Sequence, residues 1–311
     1  MTQDVDRAKG CLVGLAIGDA IGTTLEFRPR GSFSPLQDMH GGGHFCLPKG
    51  HWTDDTSMAL CLGASLLACG GFDAADQMRR YCDWLDNGYQ SSLGVCFDVG
   101  MTVQSALRRF QKSGNPYSGA RSRWSSGNGS IMRLAPVVIA YRADLSACRH
   151  YAALSSRTTH GSPLCLDGCA LFGELLWHLL RGEGKAQALQ ACQLPTEPEL
   201  AALQGGSFID KSYAALKGSG FVVESLEAAL WCFWHTDSFA DCVLAAANLG
   251  DDADTTAAVA GQLAGAHYGH GAIRAEWCQA LHRHADIAAL AEALYGLAPQ
   301  DVGARLADLP A

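Results

Sequence analysis

Four glycines, Gly10, Gly14, Gly18 and Gly22, recur every fourth residue along a stretch that otherwise reads as a helix from Val5 to Ile21, with Leu12, Leu15 and Ala16 at helical spacing. Residues four apart share one face of a helix, so this segment presents a strip of bare backbone. Glycine weakens a helix by roughly 1 kcal/mol relative to alanine, and a strip of four is expected where another helix or a ligand must approach the main chain closely. A membrane-helix reading of the spacing fails, because the segment carries Asp19 and is too short.

The rest of the chain follows the same periodicity. Helices are predicted over Asp54–Cys69, Ala74–Asn87, Met101–Lys112, Ser130–Tyr141, Leu145–Arg157, Ser162–Leu180, Glu224–Trp234, Phe239–Asn248, Thr255–Tyr268, Arg274–His282 and Asp286–Tyr295. Alternating strand patterns are nearly absent, and Phe221-Val222-Val223 is too short to count as a strand. The expected fold class is all-α: a single compact multi-helix domain over residues 1–311. The Gly/Ser-rich joints at Ser113–Gly129 and Gly205–Gly220 read as loops, because the helical pattern resumes after each without a change in composition.

At 48% hydrophobic and 17% charged residues, the chain is globular rather than disordered. No apolar run is expected to span a membrane. The net charge of −8 argues against a nucleic-acid partner and suits a cation-loaded site. The N-terminus carries Asp4 and Asp6 where a secretory signal needs bases, so the protein is expected to be cytoplasmic. The 13 cysteines are odd in number and hold no CxxC pair, and Cys165-x3-Cys169 has no partner pair at zinc spacing. They read as reduced core thiols, not as a disulfide framework.

Chemistry concentrates in two places. Asn248-Leu249-Gly250-Asp251-Asp252-Ala253-Asp254-Thr255-Thr256 packs three carboxylates and two hydroxyls against the start of one helical run. Trp52-Thr53-Asp54-Asp55-Thr56-Ser57 does the same almost two hundred residues earlier. An Asp or Thr at a helix start can serve as an N-cap, with acids favoured by the helix dipole. One cap needs one side chain, however, and crowded carboxylates repel unless something positive joins them. Together the clusters supply about six oxygen ligands, an octahedral set for a hard cation such as Mg²⁺, Mn²⁺ or Ca²⁺ rather than zinc. Two adjacent cations would clamp substrate oxygens from two sides. An EF-hand is excluded by the missing loop glycine and twelfth ligand. The DxDxT pattern of aspartyl-phosphate phosphatases is also met, but there it ends a buried strand near the N-terminus, whereas here it follows an alanine-rich helical run.

Four further features carry both a plain and a functional reading. Glu26 is either a solvated loop acid or a site residue. Asp98 is either a cap before the next helix or a second acid at the site. Gly127-Asn128-Gly129-Ser130 precedes a helical pattern with Ser130 in the cap position, and its N–H groups offer an anion cradle. His160 opens a long apolar helix and reads as a cap, a packing residue or a catalyst. The loop around Gly41-Gly42-Gly43 is expected to be flexible and placed to act as a lid over Asp54 and Asp55.

These pieces in this order resemble the ADP-ribosylglycohydrolase family. The matching segments are Gly10 to Gly22 with Glu26, Trp52-Thr53-Asp54-Asp55-Thr56, Phe97-Asp98-Val99-Gly100, Gly127-Asn128-Gly129-Ser130-Ile131-Met132-Arg133, Thr159-His160 and Gly250-Asp251-Asp252-Ala253-Asp254-Thr255-Thr256. They span roughly residues 7–268. The resemblance implies an all-α domain with two Mg²⁺ or Mn²⁺ ions at helix N-termini. Thr53, Asp54 and Asp55 would be ligands from one cluster, and Asp252, Asp254 and Thr255 from the other, with Asp254 bridging. It implies no ligand role for Asp251. Glu26 would lie beside the metals as a gating or acid/base residue, with Asp98 over the scissile bond. Gly127, Asn128, Gly129 and Ser130 would hold the phosphates of ADP-ribose, and His160 would line the same pocket. The implied activity is removal of ADP-ribose from modified protein side chains, arginine above all, with serine or other O-linked substrates as the alternative. The implied partners are the ADP-ribosylated protein, ADP-ribose and a cognate ADP-ribosyltransferase. A non-catalytic ADP-ribose-binding or immunity module of the same design also stays open.

Overall fold

A computed structural model of the chain describes residues 3–299. The glycine strip meets a helix there. The first helix, α1 (Gln3–Gly22), packs against the twelfth, α12 (Ala253–Tyr268). A methyl group added at Gly10, Gly14, Gly18 or Gly22 would run into the carbonyl oxygens of Gly265, Gly261, Ala257 and Ala253 respectively. The partners run in opposite order, so the two helices are antiparallel. The start of α12 therefore lies beside the end of α1, which brings the acidic clusters of the two chain ends together. Both helices are buried over nearly their whole length, α1 from Gly10 to Gly22 and α12 from Ala253 to Ala266. A helix buried all round has no polar face, and the pair forms the centre of the molecule.

The other helices wrap this pair. They are α2 (Asp54–Cys69), α3 (Ala74–Asn87), α4 (Met101–Ser113), α5 (Ala135–Ala140), α6 (Leu145–Arg157), α7 (Pro163–Leu180), α8 (Lys185–Ala191), α9 (Pro198–Gln204), α10 (Val222–Trp234), α11 (Phe239–Ala247), α13 (Ala275–Ala280) and α14 (His284–Gly296). Helices α2, α5, α11 and α14 pack on α1, and α7, α10 and α11 on α12. The amphipathic pattern of α3 buries Met78, Tyr81 and Trp84 on one side only, as an outer helix does. One continuous core joins all of them. Among the described residues no strand forms. Three isolated bridges, Gly42 with Leu47, Ala120 with His160 and Gly127 with Phe221, tie loops to one another.

The all-α expectation holds, with local corrections. The helix expected from Ser130 begins only at Ala135, and residues 129–133 form turns in which Ile131 and Met132 N–H both donate to the Asn128 carbonyl. The helix expected over Arg274–His282 shortens to α13. The short helices α8 and α9 were not expected, because seven-residue elements carry too little periodicity to stand out. Phe221–Val223 is the start of α10. Helix α7, at 18 residues with a mean hydropathy of 1.3, does reach the length and apolarity of a membrane span, against the expectation for the chain, but it is 78% buried inside the protein. All 13 cysteines are free thiols, most of them buried.

Candidate active site

Some helix starts in this protein are capped by their own side chain and others are not. At α3, α6, α7 and α11, the side chains of Asp73, Asp144, Ser162 and Ser238 accept the N–H of the residue three further on, the ordinary N-cap. At α2 and α12, the cap residues Thr53 and Asp252 make no such bond. The plain capping reading of the acidic clusters therefore fails at both helices where it was offered.

The cap of α2 comes from another helix. Asp19 of α1 is fully buried. Its Oδ1 accepts Thr53 N–H (2.9 Å) and Thr53 Oγ1–H (2.9 Å). Its Oδ2 accepts Thr56 N–H (3.0 Å) and Thr56 Oγ1–H (2.6 Å). Burial pushes the Asp19 carboxyl up to about 6, with these four hydrogen bonds working against the rise. Asp19 thus fixes the first turn of α2 against the end of α1. Sequence reasoning missed it as a site residue, although a carboxylate inside an otherwise apolar helix next to a glycine strip was a visible signal.

Around this anchor the acids converge. Ligand oxygens of Asp54, Asp55 and Asp254 lie within 4.8 Å of one another, and so do those of Glu26, Asp98 and Asp254. Asp254 belongs to both groups. Thr53 Oγ1 lies 3.4 Å from Asp55 Oδ2 and 3.2 Å from Asp254 Oδ2 as well as beside Asp19. A hydroxyl carries one proton and cannot donate to three carboxylates, so its lone pairs face at least two of them. Thr255 Oγ1 sits 3.3 Å from Asp55 Oδ2. Buried oxygens of Glu26 (Oε2), Asp55 (Oδ1) and Asp254 (Oδ1) have no hydrogen-bond partner. Such atoms are costly unless a proton or a cation meets them.

The electrostatics agree. Burial, then neighbouring carboxylates, raise Asp54, Asp55 and Asp254 well above the usual range. Glu26 is pushed up to about 10 by burial and by Asp98, Asp252, Asp55 and Asp19. Asp98 rises to about 7 by burial and the charges of Asp19 and Asp252. Crowded, desolvated acids of this kind are a favourable environment for divalent cations, which offset the repulsion directly. An all-oxygen donor set suits a hard cation, and Asp254 belongs to both groups.

Not every expected ligand stands in these groups. Asp252 Oδ2 accepts a hydrogen bond from Asn128 Nδ2 at 2.7 Å, so it links the acidic cluster to the Gly127–Ser130 loop. Conversely, Glu26 and Asp98 share their group with Asp254 and face the cluster directly. Asp251 is exposed. Its backbone pairs with the loop after α1 through Phe27 N–H to Asp251 O (2.7 Å) and Asp251 N–H to Arg28 O (2.9 Å). Phe27, Asp98 and Asp251 all have left-handed backbone, at φ 59°, 53° and 56°. Left-handed non-glycine residues tend to gather at functional sites.

The Gly127–Ser130 loop is held from behind. Since no helix starts at Ser130, its hydroxyl is not a cap and instead accepts from Ser156 Oγ (2.9 Å). Asn128 N–H is taken by the Gly220 carbonyl (3.0 Å). A helix-dipole cradle is therefore not what the loop offers, and the donors left for an anion are its remaining main-chain groups. His160 lies buried beneath it, and a side chain at Gly129 would strike the imidazole. Arg133 Nη2 donates to Thr159 Oγ1 (2.6 Å), which is also hydrogen-bonded to His160 Nδ1 (2.9 Å). His160 Nε2 is turned toward Gly127. Burial and Arg133 lower His160 to about 3, so the ring is neutral.

The Gly41–Gly43 segment is part of a hairpin tied down by its own backbone bonds. Gly42 and Leu47 exchange two backbone bonds (2.7 and 2.8 Å). His44 and Phe45 contact Phe27, and Phe45 contacts Phe97 at 5.3 Å between centroids. The hairpin thus rests on the residues next to Glu26 and Asp98.

An all-helical frame that delivers acids from both chain ends to one buried cluster defines the class. The family model of ADP-ribosylglycohydrolase matches residues 1–302, and the chain belongs to that family of glycosyl hydrolases. It is 41% identical over 300 residues to the ADP-ribosylarginine hydrolase Tri1 of Serratia proteamaculans (strain 568), covering 96% of this chain and 82% of that protein. It is 35% identical over 283 residues to the ADP-ribosyl-[dinitrogen reductase] glycohydrolase of Rhodospirillum rubrum, covering 89% and 90% of the two chains. A solved structure of an ADP-ribosylglycohydrolase-related protein complex superposes with a TM-score of 0.83 at 40% identity, over 96% of this chain and 99% of that one.

Proposed function

We propose that the protein hydrolyses the N-glycosidic bond between ADP-ribose and an arginine side chain of a modified cytoplasmic protein, using two Mg²⁺ or Mn²⁺ ions and reversing the work of a cognate ADP-ribosyltransferase. The observation that carries the metal-dependent reading is the pair of acid groups sharing Asp254, with three buried oxygens uncommitted. The relatives named as ADP-ribosylarginine hydrolases support the arginine linkage.

Asp54, Asp55 and Asp254, with the hydroxyls of Thr53 and Thr255, would hold the ions, and Asp252 would position them from beside Asn128. The ions would supply charge to orient and polarise the ribose hydroxyls. The remaining work falls to the chain itself. Cleavage needs a proton for the departing guanidine nitrogen and a base for the water that attacks C1. Glu26, which faces Asp98 and Asp254, is one of the two carboxyls placed for this proton transfer. Asp98, in the same group, is the other. The Gly127–Ser130 loop, braced by His160 and tied to Asp252 by Asn128, would receive the phosphates.

The test is release of ADP-ribose from an arginine-ADP-ribosylated protein with Mg²⁺ or Mn²⁺ and with EDTA. Metal-dependent turnover is expected. Turnover only on serine-linked substrate would move the linkage, and stoichiometric binding without release would make the protein a sequestering module.

A further inference from the structure

At the far end of α12, a second group of potential ligands stands apart from the acidic cluster. Helix α12 has 16 residues, so its ends are about 24 Å apart at 1.5 Å per residue. Just past its C-terminus, His270 meets His284, the first residue of α14, with their Nε2 atoms 2.9 Å apart and their rings stacked. Cys278 of α13 places its Sγ 3.9 Å from His270 Nε2. The three ligand atoms all lie within 4.8 Å of one another. They line a hollow of about 380 Å³ that also includes Gln279. Spacings of seven and five residues between the three match no short-range zinc pattern, which is why the sequence alone does not show the group.

We propose that His270, Cys278 and His284 form a binding site for a borderline-soft divalent cation, Zn²⁺ foremost. With Zn–N near 2.05 Å and Zn–S near 2.3 Å, a tetrahedral ion holds its ligand atoms about 3.3 Å (N to N) and 3.6 Å (N to S) apart. The observed 2.9 and 3.9 Å lie on either side of those values, and the third pair, Cys278 with His284, lies within 4.8 Å. The hollow leaves a fourth position for water or Gln279. The donor set of two imidazoles and one thiol is softer than the all-oxygen cluster, so the two sites select different metals. Its role is structural. It ties α13 and α14 to the end of α12, next to the point where Gly271 N–H donates to Asp6 of α1 (3.2 Å). The alternative is a bare His–His hydrogen bond with a bystander thiol.

Cobalt distinguishes the two. The full-length reduced protein is titrated with Co²⁺ in saturating Mg²⁺, which occupies the acidic cluster. A thiolate-to-cobalt charge-transfer band in the near ultraviolet, saturating at one Co²⁺ per chain and displaced by Zn²⁺, is expected. Oxygen-only ligation cannot produce it. Cys278→Ser removes the band, His284→Asn weakens cobalt binding at least tenfold, and the Mg²⁺-dependent reaction rate stays unchanged in both. No band, or one that survives Cys278→Ser, overturns the site. Should a variant fail to fold, the wild-type protein still decides: Zn²⁺ protects Cys278 selectively from alkylation, mapped by peptide mass spectrometry, and unprotected Cys278 refutes the proposal.

Discussion

Changing Asp19 to Asn tests whether the acidic cluster is held by a residue outside it. The carboxylate accepts two N–H and two O–H bonds, one pair at each oxygen. Whichever way the amide is turned, its NH₂ faces one of these pairs. The hydroxyl there can rotate to accept, but the backbone N–H of Thr53 or Thr56 cannot. One buried donor left unsatisfied costs about 1–3 kcal/mol. Unfolding entropy of about 2.1 cal/mol/K per residue gives ~0.65 kcal/mol/K for a chain of this length, so Tm should fall by roughly 2–5 °C. The same change frees Thr53, whose hydroxyl lies between Asp19, Asp55 and Asp254. Loss of an outer partner that orients a ligand typically costs 10–100-fold in metal affinity. Mn²⁺ binding followed by electron paramagnetic resonance, beside a thermal melt, reads both effects. If the variant melts a few degrees early yet binds Mn²⁺ as tightly as the wild type, Asp19 is a helix cap and nothing more.

Four other outcomes follow from the geometry. Asp254→Ala removes the residue common to both acid groups and should abolish Mn²⁺ binding and hydrolysis together; full activity would end the two-ion proposal. Glu26→Gln cannot donate a proton and should lower kcat about 10²–10⁴-fold while disturbing Mn²⁺ binding far less than Asp254→Ala; an unchanged kcat would reduce Glu26 to a structural acid. Gly18→Val forces a side chain into the Ala257 carbonyl and should cost about 3 kcal/mol or more in urea unfolding, because main chain on the facing helix cannot yield; a wild-type midpoint would refute the close α1–α12 packing. His160 titrates near 3 in the fold against an ordinary 6.5. Between those values the unfolded chain binds the extra proton, so stability contributed by the neutral ring is intact above pH 6.5 and is lost as pH falls, at up to ~1.4 kcal/mol per unit. Urea midpoints at pH 7 and pH 5 should therefore diverge more for the wild type than for His160→Gln, and equal slopes would refute the assignment.

What the sequence made legible here depended on how local each signal was. Helices α2, α3 and α6 could be placed to the residue, because Gly70, Gly88 or an N-cap acid such as Asp73 or Asp144 marks their ends. The glycine strip announced a close approach without naming the partner. Nothing local says that Gly18 meets Ala257, although that register decides the site, since it carries Asp254 to the end of α1. The Thr/Asp clusters were visible as too many acids for a cap, yet what caps α2 in their place is Asp19, whose four bonds reach 34 to 37 residues along the chain. The loop at Gly127 shows the opposite failure. Its pattern reads as a helix start, but Asn128 spends its carbonyl on Ile131 and Met132, its N–H on Gly220 and its side chain on Asp252. Tertiary bonds of this kind override a local propensity of a few tenths of a kcal/mol per residue. Asp19 and Asn128 hold the site in place through partners that no local pattern names. A variant at Asp19 or Asn128 should therefore disturb catalysis more than its local setting suggests.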